Sequence, residues 1–251
     1  MTLKQPLLFP VGTTPACRYA AHFLSQYGIP LTDHPTPEVT HLLLDIPSFS
    51  PDGILRSGGD LSSLLRMLPP DITIIGGNLQ TPILSGKHTL DLLQDPFYLS
   101  HNATITAECA LRVAFPKMDY IVSSTPCLII GWGRIGKCLG KLFKSMGADV
   151  TIAARKESNR AMAQALGFQV VDIHSLPGTL SQYRLLFNTV PSPILNQQEL
   201  SFCKDCLKID LASTPGLEGE DVVIARGLPG LYAPESSGKL IADTLRNALH
   251  L

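Results

Sequence analysis

Residues 126–136 read PCLIIGWGRIG, and this stretch limits the fold more than any other in the chain. A short apolar run of strand length meets a glycine, and two further glycines follow at the spacing GxGxxG. Such a run makes a buried strand that turns sharply into a helix. Gly131 permits the tight turn, Gly133 keeps the backbone open to a ligand, and Gly136 lets the helix lie close to the sheet. The helix start offers N–H groups with no intrahelical acceptor and a partial positive charge, which together suit a diphosphate. Gly131, Trp132, Gly133, Arg134, Ile135 and Gly136 are therefore candidate dinucleotide-binding residues.

The rest of the carboxyl-terminal half continues in the same alternation. A helix is expected over 134–146, ended by Gly147, then a strand ADVTIAAR (148–155) and a helix over 157–166 ended by Gly167. Strands follow at 168–171, 184–190, 206–212 and 221–227, and a last helix at 235–251. The amino-terminal half is expected to hold strands at 6–11, 29–32, 40–46 and 72–77. Its helices are expected from Pro15 to Tyr27, with Thr14 as cap, and over 60–68. A helix from Thr104 to Ala114 leads into the second half. The fold class is α/β: a Rossmann-type dinucleotide-binding domain plus a smaller α/β amino-terminal substrate domain. The expected boundaries are 1–103 for that reduced first domain, 104–117 for a bridging helix, 118–240 for the Rossmann domain and 235–251 for the closing helix.

The chain has 251 residues, a net charge of -1 and only 16% charged residues. No cluster of lysine and arginine marks a nucleic-acid surface, so small-molecule chemistry is favoured. No apolar run approaches the ~20 residues of a membrane helix, and the amino terminus lacks a signal-peptide core. A cytoplasmic protein with reduced thiols is expected.

The second strand bears on which dinucleotide is bound. NAD sites usually place an acid about 20 residues after the glycines, to accept bonds from the ribose 2′-hydroxyl. Here the strand ends Ala154-Arg155-Lys156 with no acid. A guanidinium can pair with a 2′-phosphate that a carboxylate would repel, so Arg155, assisted by Lys156, points to NADP rather than NAD. A solvated basic turn, or Arg155 stacked on adenine in an NAD site, is the alternative. Three later strand ends belong to the same rim: Asn188-Thr189-Val190-Pro191, Asp210-Leu211-Ala212-Ser213 and Gly227-Leu228-Pro229. For Asp210 a structural role, bracing loops at a strand end, stands beside the cofactor role.

In sequence order, GxGRxG (131–136), AAR (153–155), NTVPSPILNQ (188–197), DLAS (210–213) with Pro215-Gly216, GLPGLYAP (227–234) and ESSGKLIADTL (235–245) resemble the dipicolinate synthase family, in its NADP-linked subunit. NATITAECAL (102–111) extends the resemblance upstream. It implies an NADP-linked oxidoreductase of dipicolinate biosynthesis in sporulation, taking hydride from a dihydro- or hydroxytetrahydro-dipicolinate. It also implies a dicarboxylate substrate, a flavoprotein-like second subunit and catalytic candidates Asn102, Thr106 and Glu108; a homo-oligomer is expected as well. Arg18 and Arg134 are candidate partners for the substrate carboxylates. The chain departs from the family after DLAS, where an arginine and a glycine pair usually follow and Thr214-Pro215-Gly216-Leu217 stand here.

Two other functions remain open: an oxidoreductase for another small carbonyl, imine or hydroxy acid, and a non-catalytic nucleotide-binding partner subunit. No histidine lies between His174 and His250, where dehydrogenases of 2-hydroxy acids carry their proton shuttle. Lys87 lacks the neighbours expected of a shikimate-type dehydrogenase. Cys203-Lys204-Asp205-Cys206 has CxxC spacing but no second ligand pair, so no metal site is expected and the two thiols read as incidental.

Overall fold

The computed structural model describes residues 5–249. These residues fall into two compact units, one running to Asn102 and resuming at Pro229, the other Ala103–Leu228.

The first unit is built on β1 (Leu8–Pro10), α1 (Pro15–Gln26), β2 (His41–Leu43), α2 (Leu61–Arg66), β3 (Thr73–Gly76) and β4 (His88–Asp91). Its four strands pair in parallel in the order β1-β2-β3-β4. Leu42, Leu44 and Ile74 carry its core together with Leu61 and Leu68 from the α2 region. Thr14 caps α1 as expected, accepting the Cys17 N–H at 3.3 Å, with Pro15 in the first turn. The strand expected at 29–32 is reduced to a single bridge between Leu8 and Leu31. Pro30 has no N–H to give a ladder, and only its carbonyl takes part, accepting from Leu8 N–H at 3.0 Å.

A long helix, α3 (Pro96–Ala114), begins eight residues before the expected Thr104. Its start carries the same signature as α1: Asp95 accepts the Tyr98 N–H at 2.7 Å and Pro96 follows. In the second unit come β5 (Pro126–Ile130), α4 (Arg134–Ser145), β6 (Asp149–Ala154), α5 (Glu157–Ala165), β7 (Gln169–Asp172), β8 (Leu185–Asn188), α6 (Gln197–Leu200), β9 (Leu207–Asp210) and β10 (Val222–Ile224). All six strands are parallel, in the order β10-β9-β8-β5-β6-β7. That is the doubly wound order of a Rossmann sheet, with the reversal between β5 and β8. Leu128, Ile130, Leu186 and Leu195 anchor one core cluster of this sheet.

After the short α7 (Leu228–Tyr232), α8 (Pro234–Ala248) packs on α1 within the first unit. A side chain at Gly238 would strike Tyr19 and the Ala16 carbonyl, so the missing Cβ permits the contact. Tyr27 donates to Asp243 at 2.6 Å across the same pair. The expected end of this helix, His250 and Leu251, lies outside the described residues. No helix among the described residues is long and apolar enough to cross a membrane.

Candidate dinucleotide site

The turn after β5 is shaped by its neighbours. Gly131 has φ +105°, a conformation a side chain resists, and a Cβ there would meet Thr189 Oγ1 and Val190 Cγ2. Thr189 is held by Ile130, whose carbonyl accepts both its N–H and its hydroxyl at 2.9 Å. Gly136 lies on the Gly131 carbonyl, where a Cβ would collide. Gly133, by contrast, has nothing within 4 Å of a would-be Cβ. It caps α4, and its cap position makes no side-chain hydrogen bond to the first turn of that helix. An open glycine beside an uncapped helix start, at the reversal of strand order, is the geometry that fits a diphosphate.

Trp132 turns away from this opening. Its indole is buried on Phe168, rings 5.4 Å apart, and Nε1 has no hydrogen-bond partner among the described residues. Its contribution to the site is therefore backbone. Ile135 is half-buried and Arg134 is exposed.

At the end of β6, Ala154 is buried while Arg155 and Lys156 stand exposed. No side-chain hydrogen bond or ion pair engages either among the described residues. The turn beneath them is organised by Arg160, which sequence reasoning missed. Arg160 Nη1 donates to the carbonyls of Ala154 and Arg155, both at 2.8 Å, and lies 2.7 Å from Asp172 Oδ2 at the end of β7. Only the pairing of β6 with β7 brings that carboxylate within reach.

Asn188 and Asp210 end neighbouring strands and are fully buried. Asp210 Oδ2 accepts from Asn188 Nδ2 and from the Gly216 and Leu217 amides, at 2.7–3.1 Å, while Oδ1 accepts the Ala212 N–H at 2.9 Å. Asn188 also bonds both ways with the backbone of Val190. Of the two roles considered for Asp210, this geometry describes the structural one. Val190 and Thr189 are half-buried and Pro191 is exposed; Leu211 and Ala212 are buried, leaving Ser213 exposed on that loop. Gly227, with φ +62°, and buried Leu228 close the unit, and Pro229 begins the stretch that belongs to the other.

Arg226 is a second residue missed from the sequence. Its Nε donates to the Ala212 carbonyl at 3.1 Å, which places a guanidinium beside the loop after β9.

The candidates on α3 do not converge. Thr106 is buried and Glu108 exposed, two residues apart and thus about 200° around the helix. Glu108 shares its face with Thr104, whose hydroxyl lies 3.6 Å from Cys138 on α4. Asn102, one turn before Thr106, is half-buried and belongs to the first unit. Arg18 is exposed on α1. Among the described residues no cluster of His, Cys, Asp and Glu could hold a metal ion.

No protein-family model matches the chain. A curated dipicolinate synthase subunit of Bacillus subtilis (strain 168) is 30% identical over 158 residues, covering 59% of this chain and 53% of that protein. The chain is a homologue of that dipicolinate synthase subunit. The match spans about half the length of the relative. Crystal structures of the corresponding dipicolinate synthase polypeptides from Bacillus subtilis and Bacillus halodurans superpose with TM-scores of 0.84 and 0.82, both at 20% identity. Each comparison covers 99% of this chain, and 97% and 99% of the other. A transhydrogenase from Sinorhizobium meliloti shares the fold at TM-score 0.69 and 12% identity, over 97% of this chain and 93% of that one. These likenesses establish the two-sheet parallel α/β architecture.

Proposed function

We propose that this chain is an NADP-dependent oxidoreductase that takes hydride from a partly reduced pyridine dicarboxylate. The observation that carries the proposal is the open Gly133 turn with the uncapped start of α4, next to a β6 end that bears Arg155-Lys156 and no acid. The homology to a dipicolinate synthase subunit supports the substrate class. A bound nicotinamide would supply the hydride acceptor.

The chain's own work is then placement. The amides of Arg134, Ile135 and Gly136 hold the diphosphate, and Arg155 with Lys156 pairs with the 2′-phosphate. The loops after β8 and β9, braced by the buried Asn188–Asp210 bond, border the ring pocket. Arg226, anchored through Nε, has its terminal nitrogens available to a substrate carboxylate. Loss of hydride also requires loss of a proton, for which exposed Glu108 is the carboxylate on α3. A second subunit of flavoprotein type fits the relative's being one subunit of a synthase.

Glu108 faces away from Thr106, and this favours a second reading, a nucleotide-binding subunit without turnover of its own. NADPH and NADH titrations on the parent protein and Arg155→Asp test the first reading. Preference for NADPH in the parent, abolished in the folded variant, is expected; equal parent affinities would refute it. Tight NADPH binding with no formation of NADPH from added oxidised NADP on any reduced pyridine dicarboxylate, with or without the partner subunit, favours the second reading.

A further inference from the structure

The Cys203-x-x-Cys206 pair has no part in the dinucleotide site, and its surroundings differ from those of an incidental pair. Both thiols are free and buried in the turn between α6 and β9. Lys204 and Asp205 form a turn between them, which holds the two Cα atoms within about 7 Å, close enough for a disulfide to bridge. Cys203 Sγ donates to the Tyr183 carbonyl at 3.8 Å and Cys206 Sγ to the Leu207 carbonyl at 3.7 Å.

A buried cation completes the group. Lys208 is 1% exposed; its Nζ donates to the Cys206 carbonyl at 3.1 Å and to Asp221 at 2.6 Å. The neighbouring Cys206 side chain holds the Cys203 pKa below its ordinary value, and the Lys208 charge acts in the same direction against desolvation. The same contact, with burial, pushes the Cys206 thiol well up. Two surface cavities border the pair. One, of about 390 Å³, is lined by Cys203, Tyr183 and Lys204; the other, of about 520 Å³, by Cys206, Tyr120 and Lys117. Arg184 borders both.

We propose that Cys203 and Cys206 form a reversible disulfide, made by a peroxide small enough to enter these cavities. The Cys203 thiolate attacks one oxygen of hydrogen peroxide, breaking the O–O bond to give a sulfenic acid and hydroxide. The Cys206 sulfur then attacks Cys203 sulfur, expelling the sulfenic oxygen, which leaves as water with the Cys206 proton. Two thiols are oxidised by two electrons and one peroxide is reduced to two waters. A dithiol reductant reverses the reaction by thiol–disulfide exchange.

The full chain is treated with hydrogen peroxide, quenched in acid, alkylated unfolded and digested with trypsin, which cuts after Lys204, between the two cysteines. The expected product joins the peptide Leu185–Lys204 to Asp205–Lys208, leaves four of the six thiols to the alkylating agent, and disappears on dithiothreitol treatment. In Cys206→Ser, dimedone should trap a sulfenic acid on Cys203; in Cys203→Ser, oxidation at 206 should slow by about tenfold or more. Absence of the linked peptide, loss of thiol mapping to Cys138 instead, or dimedone labelling of Cys206 in the parent would overturn the proposal. The linked peptide is read on the unsubstituted protein, so a serine variant that fails to fold does not decide the outcome.

Discussion

The side-chain amide of Asn188 donates to Asp210 Oδ2 at 3.1 Å, joining the ends of β8 and β9 where the register sets the two residues side by side. Three backbone N–H groups, from Ala212, Gly216 and Leu217, complete the carboxylate's shell. One buried residue therefore fixes the shape of two rim loops.

Asp210→Ala leaves those three amides and the Asn188 side chain without their acceptor in a dry interior. Each stranded donor costs about 1–3 kcal/mol and the losses are not additive, so a destabilisation of about 3–5 kcal/mol is expected. Urea unfolding of the variant reads it directly. A loss below about 1 kcal/mol would mean that water enters and replaces the carboxylate.

The glycines of the turn divide into packing and access positions. Gly131→Ala forces a side chain to φ +105° against Thr189 and Val190, and should cost about 2–3 kcal/mol of stability. Gly133→Ala meets nothing within 4 Å, so its stability should fall by no more than about 1 kcal/mol. Yet its methyl stands where a diphosphate would approach, and NADPH affinity should drop about tenfold or more. Unchanged affinity in Gly133→Ala would place the ligand elsewhere.

Arg160→Leu removes the clamp on the Ala154 and Arg155 carbonyls. The ion pair with Asp172 is partly solvated, its side chains 22% and 34% exposed, so the stability loss should be only about 1 kcal/mol. The larger effect should be on selectivity, with the ratio of NADH to NADPH dissociation constants falling several-fold as Arg155 loses its fixed base. Parallel titrations of the two nucleotides check this. An unchanged ratio would show that Arg155 needs no such support.

His41, half-buried on β2, has its pKa lowered by desolvation. The folded chain therefore resists a proton that the unfolded chain accepts below pH about 6.5. Stability should decline as pH falls through that value towards the depressed folded pKa, and level off below it. Urea midpoints at pH about 7.5 and about 5.5, on either side of the ordinary histidine pKa, should differ less in His41→Gln than in the parent. Equal differences in the two proteins would assign the acid sensitivity to other groups.

Much of the second unit was legible from local pattern. The strand–glycine–helix order at 126–136 stands where the sequence suggested, and the strands expected at 148–155, 184–190 and 206–212 are present but end one or two residues earlier, at Ala154, Asn188 and Asp210. The early start of α3 was legible too, since Asp95-Pro96 repeats the cap-and-proline pair read correctly at Thr14-Pro15. Arg160 and Arg226 were not legible, because their partners Asp172 and Ala212 are brought near only by strand pairing. The opposite facing of Thr106 and Glu108 could have been read from helical periodicity alone.

By itself the sequence determined what covalent neighbours can dictate: where strands, caps and glycine turns lie, and that the β6 end is basic. Tertiary structure alone decided how side chains far apart in the chain are spent. It committed Asp210 to bracing two loops, set Trp132 against Phe168, and paired buried Lys208 with Asp221. Local propensity acts over a turn or two of chain, whereas hydrogen-bond satisfaction in a buried interior depends on which strands the whole sheet places side by side.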